Sequence, residues 1–186
     1  MSIRCVVTGH SESGASVVLN DGPAESVTVA LLPGVEFFRL WGSDSVPILP
    51  SSGTSPSQHN YFPPKGGFRF MFCTIPPWTE GPQESNNTNS LISELQEKLP
   101  GLAEVFGSGN SGMHMSDTVD FVVVLAGEVW LELDNKVEVR LRAGDCVIQN
   151  GTQHAWHNRS SEKCVVAVTL VGAERSSESH RPEPAI

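Results

Sequence analysis

Three side chains of metal-ligand type punctuate residues 112–158: His114, Asp120 and His154. Two imidazoles and one carboxylate make the facial set typical of non-haem Fe(II) sites, with open positions for substrate and oxygen. Zn, Mn or Ni suit the same donors. Ser116 lies two residues after His114, so on an extended chain both face the same way. A hydroxyl is a poor ligand for such metals, which assigns Ser116 to the pocket, beside water or substrate. Asp120 follows a short bend and reaches the same centre, and His154 arrives from the other end. His157 falls three residues later and faces the opposite side of a strand, as surface or support. Trp156 shares the His154 face and lines the pocket. Two plainer readings stand beside this one: His154 as a satisfied interior histidine, and Asp120 as a turn cap through Thr118. Asp117 is a weaker alternative carboxylate.

The elements that must position these residues are strands. Val129, Leu131 and Leu133 alternate with Glu128, Trp130 and Glu132, and Val137, Val139 and Leu141 alternate with Lys136, Glu138 and Arg140. Such period-two patterning predicts half-buried antiparallel strands. Asp134-Asn135 supplies the turn between them, since asparagine tolerates left-handed backbone. Val122, Val124, Val129, Leu131 and Phe70 are the expected inward side chains. Of these, Phe70, Val122 and Leu131 join Ser116 and Trp156 as pocket residues, giving an apolar cavity with few polar groups, suited to an aromatic ligand.

The same stretch resembles the cupin family. His114, Ser116, Asp120 and Gly127 have the spacing of the first cupin motif, and Gly144-Asp145, Gly151, His154 and Asn158 that of the second. Ser116 stands where many cupins have a second histidine, and Asp120 where glutamate is usual. The phrases MHMSDTVD and QNGTQHAWHNRS, with the opening VVTGH, are similar to those of small cupin-domain oxidoreductases from fungal polyketide gene clusters. The resemblance implies an all-β fold: a single cupin barrel (double-stranded β-helix or jelly roll) with N-terminal extra strands and one short helix. It further implies a metal, iron first, held by His114, Asp120 and His154 as the catalytic set. The substrate would be a small aromatic or polyketide-type molecule, and oxidation the favoured reaction. Decarboxylation or dehydration at the same metal, and a non-catalytic small-molecule-binding cupin, are the alternatives. A homodimer is expected, paired through an N-terminal strand with the apolar segments 26–31 and 35–41 as edge material.

The rest of the chain fits one domain, expected over 1–172 with its motif core at 110–172 and a disordered tail at 173–186. In 186 residues there are 17 Gly and 13 Pro, so turns are frequent and long helices few. A net charge of −9 repels phosphate backbones and excludes nucleic acid as the expected partner. No apolar run is long enough to span a bilayer, and MSIRCVVTGH lacks a signal-peptide core, so the expected address is cytoplasmic. Cys5, Cys73, Cys146 and Cys164 are widely spaced and read as free thiols rather than a thiolate site. Further strands are predicted at 3–8, 16–20, 26–31, 35–41, 67–75 and 164–171, with His10 in a turn. A helix is predicted at 91–99 through Leu91, Leu95 and Leu99, capped by Ser90 or Asn89, with a further helical turn at 102–106. The Ser- and Pro-rich segment 42–66 is expected across the barrel mouth. GSGNSG at 107–112 lacks the strand–helix setting of a phosphate loop.

Overall fold

In the computed structural model, which describes residues 2–51, 53–54, 58–78, 88–104 and 112–176, alternating side chains form ten strands. These are β1 (Arg4–His10), β2 (Ser16–Pro23), β3 (Glu36–Ser43), β4 (Phe68–Ile75), β5 (Thr118–Ala126), β6 (Glu128–Leu133), β7 (Glu138–Arg142), β8 (Cys146–Asn150), β9 (His154–His157) and β10 (Cys164–Gly172). One helix, α1 (Thr88–Lys98), lies between β4 and β5. Pairing is antiparallel throughout, in a five-stranded sheet ordered β3-β4-β10-β5-β8, a three-stranded sheet ordered β7-β6-β9 and a β1-β2 ribbon. The expected all-β jelly roll with N-terminal strands and one helix is thus the observed architecture.

The two larger sheets face each other across one core. Val122 and Val124 of β5, Val129 and Leu131 of β6, Leu141 of β7, and Cys164 and Val166 of β10 fill it. Each buried Val or Leu contributes about 1.5–3 kcal/mol of transfer free energy. At the β5–β6 turn Gly127 has φ 72, and a Cβ there would lie 2.6 Å from the Lys163 carbonyl oxygen, so only glycine fits. Asn135 adopts φ 58 in the short 3-10 turn Asp134–Lys136, as the turn reading requires. Leu141 is buried as expected, but Val137 and Val139 are 53% and 43% exposed. Val137 lies in the turn before β7 and Val139 on β7 itself, an edge strand of its sheet.

A second core joins α1 to β3. Leu95, Leu99 and Leu102 pack with Val29 and Phe37, and Leu91 is half-buried on the same helix face. The expected strand at 26–31 is reduced to one bridge, Val27 to Phe37. Its remaining polar groups are taken by the helix: Lys98 donates to the Thr28 carbonyl and Glu94 accepts from the Ala30 amide. His10 ends β1 opposite Ser16 rather than sitting in the turn. Residues 105–106 of the expected second helical turn, and the Gly-rich 107–111, lie outside the described residues. Two residues beyond 172 are tied to the barrel: the Ala173 amide donates to the Asp117 carbonyl and Arg175 makes three hydrogen bonds.

Asn158 closes the second motif. It is 1% exposed, donates to the Ile75 and Glu162 carbonyls at 2.8 and 2.7 Å, and accepts from the Ser160 amide and hydroxyl at 2.9 and 2.7 Å. One side chain thus shapes the turn before β10 and ties it to the end of β4. Asn158→Ala removes four hydrogen bonds, including the tie to the Ile75 carbonyl, and is expected to lower unfolding free energy by about 2–4 kcal/mol in urea titrations followed by tryptophan fluorescence. A loss under about 1 kcal/mol would show that the turn stands without it.

Candidate metal centre

His114 and His154 meet because their backbones pair reciprocally. Each amide donates to the other's carbonyl, at 2.8 and 2.9 Å, an isolated antiparallel bridge that puts both side chains on one face. The ring centroids are 4.2 Å apart and the planes inclined by 49°. Nδ1 of His114 lies 2.9 Å from the Gly112 carbonyl oxygen, and Nδ1 of His154 2.9 Å from that of Thr152. A carbonyl only accepts, so each Nδ1 carries the proton and each Nε2 keeps its lone pair. Burial holds both imidazoles below their ordinary pKa, His154 at about 4 with a further push from His114. At neutral pH both are therefore in the ligand form.

Asp120 lies on the inward face of β5, level with Leu170 of β10 and in line with Val122 and Val124. It is 5% exposed, and its Oδ1 has no hydrogen-bond partner. Burial raises the carboxyl to about 6, opposed by a hydrogen bond from Thr118. Ser116 is also buried, with its hydroxyl 2.7 Å from that of Thr118, so Ser116, Thr118 and Asp120 form a short polar chain. Among the described residues no group of three His, Cys, Asp or Glu side chains is placed to hold a metal ion. The imidazole pair therefore fits a metal in donor chemistry and protonation, and Asp120 lies in the same interior with an unpaired carboxylate oxygen.

The pocket residues divide. Trp156 stacks edge-on to His154 with centroids 5.9 Å apart, facing inward opposite Leu131. Val122 and Leu131 are buried in the core cluster. Phe70 is a correction: it is 37% exposed, on the outer face of β4, while Arg69 and Met71 turn inward at 0% and 1%. Hydropathy favoured the phenylalanines for the interior, but the buried Arg69 decides the register. Its guanidinium donates to the Ser43, Asn60 and Phe68 carbonyls and pairs with Asp44, satisfying the charge inside. His157 points away from His154 and hydrogen-bonds Glu132 at 2.6 Å, as its spacing implied. A cleft of about 490 Å³ opens beside Asp117, lined also by His59, Asn60, Phe62 and Lys65; neither it nor a second cleft of about 450 Å³ is lined by the histidine pair.

Two residues escaped the sequence reading. Arg175 donates to Asp117 at 2.6 Å and to the Ser116 and Gly151 carbonyls at 2.9 and 3.0 Å. It clamps the segment carrying His114 to the turn carrying His154. Gly151 has φ 58, and a Cβ there would lie 3.0 Å from both the arginine and the Ser116 carbonyl oxygen. Nothing local in a polar C-terminal tail signals this role. Tyr61, the single tyrosine of the chain, packs edge-on against Phe37 and Phe62. Burial pushes its phenol pKa up, with Cys73 and Asp120 adding to the shift.

The raised Asp120 carboxyl predicts a pH effect. In the unfolded chain it titrates near 3.8 and in the folded chain near 6, so folding favours its protonated form. Ionisation of the buried group thus lowers stability as pH rises through this window. In chelator-treated protein at pH 7, Asp120→Asn is expected to raise unfolding free energy by up to about 3 kcal/mol, fading below about pH 4. A stability difference independent of pH between 4 and 7 would contradict it.

Residues 103–171 match the family described as Cupin domain. The chain is 42% identical over 106 residues to phomopsin biosynthesis cluster protein C′ of Diaporthe leptostromiformis, covering 50% of this chain and 56% of that protein. It is 43% identical over 57 residues to oryzines biosynthesis cluster protein J of Aspergillus oryzae, covering 31% and 32%. The chain thus matches about half the length of the first relative and a third of the second. Among solved structures, the Cnp3 cupin domain of Schizosaccharomyces pombe aligns with TM-score 0.44 at 14% identity, covering 92% of this chain and 87% of that one. A Cupin 2 conserved barrel domain protein of Salinispora arenicola aligns with TM-score 0.39 at 13% identity, covering 78% and 82%. Over residues 103–171 the chain carries the motif spacing of a cupin domain, and it resembles proteins of fungal biosynthesis clusters.

Proposed function

We propose that the chain is a metal-dependent enzyme of secondary metabolism, an oxidoreductase of oxygenase type acting on a small aromatic or polyketide-type molecule. The observation that carries the reading is the imidazole pair, neutral at pH 7, with both Nδ1 atoms tied to carbonyls. His114, His154 and Asp120 would hold the ion, iron first and Zn, Mn or Ni in the same set. The orphan Oδ1 of Asp120 supports its part, since a buried carboxylate without a partner costs several kcal/mol and a cation offsets this. A bound divalent ion supplies Lewis acidity and, as iron, one-electron and oxygen chemistry. The chain's own residues do the rest. Arg175 fixes the spacing of the two ligand-bearing segments, and Trp156 with Leu131 excludes water from one side. Asp120 titrates near 6 in the metal-free chain, so an ion bound there would displace its proton. The cluster relatives support the biosynthetic setting. A non-catalytic binding cupin is the second reading, favoured by the lack of a three-residue donor group among the described residues.

The test is elemental analysis of anaerobically purified protein, followed by incubation with aromatic polyketides. One divalent ion per chain is expected, lost in His154→Ala with the fold kept and retained in His157→Ala. Full occupancy in His154→Ala, or its loss in His157→Ala alone, would place the ion elsewhere.

We also infer a homodimer, through a different surface from the segments first expected. The outer face of the five-stranded sheet carries a row in register, Phe70–Thr169–Phe121–Ile148, with Val171 beside it. Phe121 is 45% and Ile148 53% exposed, whereas the outer face of a solvated sheet is ordinarily polar. A second copy of the chain is self-complementary to such a patch. Light scattering is expected to show a dimer at micromolar concentration that Phe121→Lys converts to monomer. A monomeric parent chain would refute this surface.

A further inference from the structure

Arg39 stands out among the charged groups that the metal reading leaves unused. It lies on β3 opposite Met71, partly buried, next to Arg69. The two guanidinium groups share one carboxylate, and Arg69 takes it, through its ion pair with Asp44. Arg39 forms no ion pair among the described residues. Its hydrogen bonds all run from Nη2 and are long, 3.3 Å to the carbonyl and side-chain oxygens of Gln58 and 3.5 Å to the Asn60 carbonyl. Its Nε is buried with no partner. In a chain of net charge −9, Arg39 is thus a cation without a carboxylate in ion-pair contact among the described residues. Burial and the neighbouring Arg69 both hold its pKa below the ordinary arginine value, the sign expected for a cation short of counter-charge.

Arg39 also lines a cleft of about 450 Å³ between the β1-β2 ribbon and β3. That volume lies within the range of small-molecule sites. Val7, Leu40 and Trp41 give it an apolar and aromatic wall, and Asn20 adds a polar group. Glu25 lies on the same wall but forms no ion pair with Arg39. A guanidinium in an apolar-walled cleft matches a carboxylate on an aromatic or aliphatic body better than a free inorganic anion, because the wall adds burial that phosphate does not use.

We propose that the cleft between the β1-β2 ribbon and β3 is a binding site for a small organic carboxylate, anchored by Arg39 and walled by Trp41. It is separate from the histidine pair and independent of any metal there. The carboxylate neutralises Arg39, and the body of the ligand covers Trp41.

The test is calorimetric titration of the full chain, with chelator present, using benzoate, benzamide and inorganic phosphate as probes. Benzoate is expected to bind once per chain and at least about tenfold more tightly than benzamide, the ratio a charge-assisted hydrogen bond supplies. Arg39→Met is expected to weaken benzoate by at least about tenfold and leave benzamide unchanged. His154→Ala is expected to leave benzoate unchanged, which separates this site from the proposed metal centre. Equal binding of benzoate and benzamide overturns the proposal, as does phosphate binding as tightly as benzoate. No heat with millimolar benzoate, or unchanged benzoate affinity in Arg39→Met, does the same. Should Arg39→Met fail to fold, the comparison of probes on the parent chain decides alone.

Discussion

The reciprocal pair of backbone hydrogen bonds between His114 and His154 is the constraint on which the site depends. Neither residue belongs to a long ladder at that point. His114 precedes β5 and His154 opens the short β9, so a single bridge sets their separation. Two further contacts keep that bridge closed. Arg175 spans from Ser116 to Gly151, one carbonyl on each side, and glycine at 151 leaves room for it. The carbonyls of Gly112 and Thr152 then fix both ring orientations. The imidazoles are thus oriented by backbone, with no second carboxylate needed behind them. That is a supporting shell built from main-chain groups, which tolerates side-chain change around it.

The interior holds polar groups of three kinds, and their energetics differ. Asn158 and Arg69 are fully buried and richly hydrogen-bonded, so they stabilise turns and register at little net cost. The histidines are buried neutral, which avoids the cost of a charge. Asp120 and Arg39 each keep one buried atom unpaired. A fold that satisfies Asn158 four times over and leaves these two short is not uniformly loose. The deficit is local, and local deficits of hydrogen bonding mark the places where a ligand or ion completes the structure.

Much of this was legible in the sequence. The alternation at 128–141 specifies β6 and β7, the four-residue leucine spacing specifies α1, and the motif spacing pairs His114 with His154. The turn roles of Asn135 and Asn158 also followed from residue type. What failed did so for tertiary reasons. Segment 26–31 has strand composition, but α1 captures its amide and carbonyl groups through Glu94 and Lys98. Arg175 sits in a stretch whose composition reads as tail, and its partners are 58 and 59 residues away at Asp117 and Ser116, and 24 residues away at Gly151. Tyr61 lies in a Pro- and Gly-rich segment that carries no periodicity to assign a face.

Phe70 shows why period alone does not choose a face. Alternation on β4 separates Phe68, Phe70 and Phe72 from Arg69, Met71 and Cys73 with no error, and hydropathy then favours the phenylalanines for the core. The five-stranded sheet inverts that preference. Its inner face accommodates Arg69 and Asp120 beside Met71 and Val122, while Phe70, Phe121 and Ile148 stand outside. A sheet with both faces partly apolar has two candidate interiors, and the register that wins is the one in which charged groups find partners. Arg69 finds Asp44 and three backbone carbonyls inward. Turned outward, it would have left those carbonyls unpaired and placed phenylalanine rings in a core already filled by Val124, Val129 and Val166.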